Sequence, residues 1–134
     1  MCLTLEKPSR QKRFLARFKK GLICYKILRT LFYFRKNRKG LYSVFFNQEY
    51  LPGLNEAREQ IAKNNNEIYG GVIHVFTSLK KAKEFQKFGL PGDVIIPVVC
   101  KKKDFRGYGY GEACFKKVYL SQQDYDRISN AHFG

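Results

Sequence analysis

A chain of 134 residues and 15.7 kDa has room for one domain with a real core and too little for two ordinary ones. Its hydrophobic content of 44%, with nine Tyr and twelve Phe, excludes a disordered basic tail. Charge is lopsided: of 26 Lys and Arg, 13 fall in the first 40 positions beside the single acid Glu6, a net +12 out of +15 for the whole chain.

From Ser9 to Lys20, Phe14, Leu15 and Phe18 recur at helical spacing among Lys12, Arg13, Arg17, Lys19 and Lys20, and Gly21 stands where a glycine ends a helix. Residues 1–21 therefore read as a basic helix or arm, and 22–134 as a single domain. Leu22 to Arg29 is β-branched and aromatic enough for a strand, the favoured reading, although Leu22, Tyr25 and Leu28 also fit a continuation of the helix. The aromatic-rich runs Leu31–Phe34 and Leu41–Phe46 flank Arg35, Lys36, Asn37, Arg38, Lys39 and Gly40, the pattern of a basic hairpin tip. After the Pro52-Gly53 turn, Leu54, Ala57, Ile61 and Ala62 form a helical stripe that ends at Asn64-Asn65-Asn66.

Val72 to Phe76 reads as a strand, and Ser78 as the N-cap of a helix carrying Leu79, Ala82, Phe85 and Phe88 to Gly89. Val94 to Val99 reads as a buried strand. Lys101-Lys102-Lys103-Asp104-Phe105-Arg106-Gly107-Tyr108-Gly109-Tyr110-Gly111 reads as a basic, glycine-rich aromatic loop, Ala113 to Leu120 as one strand, and Ser121 with Asp124 as the cap of a final helical turn. The expected fold is α+β: a small mixed or mostly antiparallel sheet with a basic N-terminal helix and two or three short helices.

A concentrated positive field attracts polyanions, and cations interleaved with aromatic rings supply the phosphate contacts and stacking of single-stranded nucleic-acid sites. The candidate nucleic-acid-binding residues are Lys12, Arg13, Arg17, Lys19, Lys20, Arg35, Lys36, Arg38, Lys39, Lys101, Lys102, Lys103, Phe105, Arg106 and Tyr108. Their expected partner is RNA, DNA or a nucleoprotein complex. No signature of an RNA-recognition motif, KH domain or zinc finger is present. Cys2, Cys24, Cys100 and Cys114 lack zinc-finger spacing with one another or with His74 and His132, so neither metal nor cofactor is expected, and His74 reads as a packed or hydrogen-bonded strand residue. Removal of Met1 would make Cys2 an N-terminal nucleophile, but no glycine follows to admit a substrate. Scattered thiols point to a reducing cytoplasm, and Lys26 and Arg29 interrupt the best apolar run, which excludes a helical span or a cleavable leader there.

Ile73-His74-Val75-Phe76-Thr77-Ser78-Leu79 with Ala82 and Phe85, Val94 to Val99, Gly111-Glu112-Ala113, Met1-Cys2-Leu3 and Tyr25-Lys26-Ile27-Leu28 together resemble a group of small proteins encoded by bacteriophages and other mobile elements. That resemblance implies takeover of a bacterial host or blockade of its defences, as by an anti-CRISPR protein. The order of elements is also distantly similar to the ADP-ribosyltransferase fold of the arginine–serine–glutamate type. This second resemblance implies an alternative, an NAD-dependent enzyme modifying a host target. Arg29 would lie on the NAD phosphates, Ser78 on the nicotinamide ribose and Glu112 beside the oxocarbenium-like transition state.

Overall fold

The computed structural model describes residues 3–18, 21–33, 38–43 and 48–132. In chain order these form β1 (Leu3–Thr4), α1 (Pro8–Leu15), β2 (Leu22–Tyr33), β3 (Arg38–Ser43), β4 (Glu49–Tyr50), β5 (Gly53–Glu56), β6 (Ala62–Lys63), β7 (Glu67–Gly70) and β8 (Ile73–Phe76). There follow α2 (Leu79–Gln86), β9 (Asp93–Cys100), a 3-10 turn (Lys102–Asp104), β10 (Phe105–Gly109), β11 (Glu112–Phe115), β12 (Lys117–Leu120) and α3 (Gln122–His132). Every described strand pair is antiparallel, so the fold is α+β with sheet predominating.

The main sheet runs β10-β11-β8-β2-β9-β12-β5, with β3 and β4 branching from β2, and β1-β7-β6 forms a small second sheet. β11 and β12 stand on opposite sides of the β8-β2-β9 centre, yet only Lys116 separates them in sequence. A chain can pass so directly from one side of a sheet to the other only if the sheet is rolled, and this one closes partway into a barrel. Its interior holds the main core, including Cys24, Leu28, Leu41, Tyr50, Val75, Ile96, Val98, Phe115 and Leu120. Phe14 and Phe18 on and after α1, and Ile128 on α3, join the same core. On the outer face α2 covers Ile27, Phe76 and Ile95 through Ala82 and Phe85, and the small sheet covers Cys114 through Leu3 and Ile68.

β2 organises this arrangement. One edge pairs with β9 from Leu22↔Cys100 to Arg29↔Asp93. The other edge is shared: β8 meets it at Tyr25↔Phe76, and β3 from Leu28↔Ser43 to Tyr33↔Arg38. β8 and β3 therefore diverge, and the sheet forks.

Several expectations are corrected. The helical stripe at 54–62 is instead β5, a short turn and β6, because β5 pairs with β12 and Lys116 Nζ donates to the carbonyls of Ala57 and Glu59 at 2.7 and 3.1 Å. The loop at 101–111 is a 3-10 turn followed by β10, which joins β11 in a two-residue hairpin with positive φ at Tyr110 and Gly111. Its glycines admit the chain itself rather than a ligand. A Cβ on Gly109 would strike the Thr4 carbonyl, and one on Gly107 would meet Leu5 and Ile68 at 2.6 and 2.7 Å. The strand expected at Ala113–Leu120 is broken at Lys116 into β11 and β12. The final helical turn extends to the 11 residues of α3, with Ser121 Oγ accepting from Asp124 N–H at 3.1 Å. α1 ends at Leu15, earlier than the spacing predicts, with Phe18 still buried beyond it.

Candidate functional site

Seven of the cations proposed from sequence are exposed on two adjoining segments: Lys12, Arg13 and Arg17 on and just after α1, and Lys101, Lys102, Lys103 and Arg106 leading into β10. The segments are held together by Phe14, whose ring stacks on Tyr108 at 4.4 Å and lies 5.5 Å from Phe105. Gln11 adds a polar tie, with Oε1 accepting from Tyr108 N–H at 2.9 Å. None of the seven has an ion pair among the described residues. Asp104 among them is buried, so the exposed charge there is uniformly positive. Phe105 and Tyr108 are half-buried, each with a ring engaged by Phe14.

The hairpin cations form a separate group. Arg38 and Lys39 begin β3 opposite Tyr33 and Phe32, whereas Lys101 follows the far end of β2, where Leu22 meets Cys100. Eleven residues of strand separate these ends, about 36 Å at the usual rise. Lys19, Lys20, Arg35 and Lys36 lie outside the described residues, as do Phe34, Phe46 and Cys2.

A second candidate site lies in the fork between β8 and β3. A cavity of about 330 Å³ there is lined on one side by Lys26, Ile73, Tyr50 and Ala57 and on the other by His74, Phe76, Phe85 and Glu112, with Arg58 and Glu59 at its exposed part. It reaches both faces of the sheet because β2 and β8 pair only at Tyr25 and Phe76. Lys26 is half-buried, with its ammonium 5.9 Å from the Tyr50 ring centroid. Loss of hydration lowers its pKa to about 8, the nearby Cys114 opposing slightly. His74 is 8% exposed; its Nδ1 lies 3.4 Å from Cys114 Sγ, and its Nε2 has no partner. Burial and then the charge of Lys26 bring His74 down to about 4, so the ring is neutral at neutral pH. Burial raises the Cys114 thiol and the Tyr50 phenol well above their usual ranges, and raises Glu112 against the pull of Lys81.

Of Arg29, Ser78 and Glu112, only Glu112 lines this cavity. Arg29 Nε donates to Asp93 Oδ1 at 2.8 Å and its Nη2 to Oδ2 at 3.2 Å, while Ser78 Oγ caps α2 by accepting from Lys81 N–H at 3.2 Å. Sequence reasoning passed over Lys26, Tyr50 and Arg58. The available signal was a lysine alternating with the apolar Cys24 and Leu28 on the same face of β2.

Cys24, Cys100 and Cys114 are buried free thiols, and the hydrogen bond of the Cys100 thiol to Cys24, followed by burial, raises Cys100. Among the described residues no group of three His, Cys, Asp or Glu is placed to hold a metal ion, and no helix is long and apolar enough to cross a membrane. No protein-family model matches the chain, and neither a curated protein nor a solved structure matches it.

Proposed function

We propose that this protein binds nucleic acid, free or within a host nucleoprotein complex, through the cationic face that α1 shares with the approach to β10. On this reading it is a mobile-element inhibitor of host defence, of the anti-CRISPR kind, acting in the host cytoplasm by occupying or blocking its target. The observation that carries the reading is the set of seven exposed, unpaired cations on two segments locked together by Phe14. Such charges contact phosphates without an internal ion pair having to be broken first. Fixing them on docked elements also lowers the ordering cost of binding.

The test is fluorescence anisotropy of labelled single-stranded RNA and DNA over a salt series. With four to seven phosphate contacts, the logarithm of affinity should fall against the logarithm of salt with a slope of about −3 to −5. Replacing Lys12, Arg13, Arg17, Lys101, Lys102, Lys103 and Arg106 by Gln should weaken binding at least tenfold and flatten that slope with the fold retained. Binding that ignores salt, or survives the replacement, overturns the reading. An NAD-dependent activity is the alternative, favoured by the place of Glu112 in the cavity. It requires Arg29 to leave Asp93, and it predicts that NAD raises the melting temperature and that Glu112→Ala abolishes turnover.

A further inference from the structure

The cavity in the sheet fork has three properties that together describe a ligand. The first is an uncompensated positive charge: Lys26 lines the cavity with its ammonium 5.9 Å from the Tyr50 ring centroid and poorly hydrated, yet among the described residues it makes no ion pair. A poorly hydrated cation without a counter-ion is costly, and a bound anion would remove that cost. The second is the orphan Nε2 of His74, on a side chain more than nine-tenths buried. In the tautomer where the protonated Cys114 thiol donates to Nδ1, Nε2 carries the ring proton and offers it to an acceptor. Lys26 and His74 line the same cavity, and the charge of Lys26 acts on the His74 ring. The third is the wall: Tyr50, Phe76, Phe85, Val72 and Ile73 surround the polar pair with flat and branched apolar surface. A volume of about 330 Å³ lies at the small end of the ~300–1,000 Å³ typical of ligand sites, enough to enclose one or two rings.

We propose that this cavity binds a small aromatic carboxylate, its acid group held by Lys26 Nζ and His74 Nε2–H and its ring packed between Tyr50, Phe76 and Phe85. Other titratable or charged groups lining the space are Arg58, Glu59 and Glu112. Arg58 adds to the attraction for an anion; the two carboxylates favour a ligand of single rather than multiple charge. This site is separate from the cationic face, whose residues do not line it.

Benzoate and its uncharged counterpart benzamide are the probes, followed by calorimetry and by the NMR resonances of His74 and Lys26. Benzoate is expected to bind saturably and shift both residues, with benzamide and the Lys26→Met variant at least tenfold weaker. The variant carrying the seven Gln replacements should bind benzoate as the original chain does, which separates this site from the nucleic-acid reading. Should Lys26→Met fail to fold, the unaltered protein still decides the matter. Only protonated Lys26 can pair with the acid, so affinity should fall as pH rises through about 8 toward 10. No saturable shift at about 10 mM benzoate, equal binding of benzamide, or affinity flat across that pH range overturns the proposal.

Discussion

Asp93 ties three parts of the chain to one carboxylate. It accepts from Arg29 Nε and Nη2 on β2 and from Leu90 N–H in the turn before β9, with its side chain 1% exposed. Burial by itself would raise its pKa, but the Arg29 hydrogen bond, the Leu90 N–H and the Arg29 charge together hold it below the usual value. Asp93→Asn leaves Arg29 without its partner. Because Arg29 is 23% exposed and can rehydrate in part, the loss should be about 2 kcal/mol, read as a lower urea midpoint at pH 7. The same residue and His74 set the acid side of the stability curve. His74 titrates near 4 when folded and near 6.5 when unfolded, so between those values the unfolded chain binds more protons and stability falls as pH drops. Asp93, lowered in the fold, has its contribution intact above the unfolded pKa of about 4 and loses it as pH falls further. Urea midpoints measured from pH 7 to pH 3 should decline in that order, and Asp93→Asn should flatten only the lower portion.

At the level of elements, the best-read segments were those whose local and tertiary signals agree. Ser78 caps α2, where Ala82 and Phe85 of the expected stripe pack while Leu79 and Phe88 are exposed, and the alternating or continuous apolar runs of β8 and β9 became strands. The failures have identifiable physical causes. Glu56, Ala57, Arg58, Glu59 and Gln60 have helical propensity, but the partner that overrides it, β12 with Lys116, lies about sixty residues onward. Gly107 and Gly109 look like loop punctuation until β1 is seen to cross them. The cavity was illegible because it arises from the divergence of two strands on one edge, and no local pattern encodes that divergence. The docking of α1 can be tested directly. Phe14, 2% exposed and in contact with Phe18, Phe105 and Tyr108, should cost about 3 kcal/mol on replacement by Ala. It should also open Lys12, Arg13 and Arg17 to trypsin while the sheet stays protected, as mass spectrometry of a timed digest would show.

For the molecule as a whole, a formal +15 on 134 residues means the folded state confines charges that repel one another. Salt should therefore stabilise the free protein, the opposite of its expected effect on the nucleic-acid binding proposed above. The melting temperature should rise by a few degrees between about 20 and 200 mM sodium chloride, where screening shortens to within the span of the cationic segments. Charge asymmetry was legible from the sequence; its division into two groups at opposite ends of β2 was not, because the length of β2 decides it. The rolled sheet carries one more consequence, and it concerns time. β2 finds its partner in β9, with Leu22 waiting for Cys100, and Phe14 waits for Phe105 and Tyr108. At a synthesis rate of about 5–20 residues per second, the early cationic and aromatic segment spends on the order of 5–20 s without the residues that will cover it. Until then those rings and charges are open to any nearby polyanion, ribosomal RNA included.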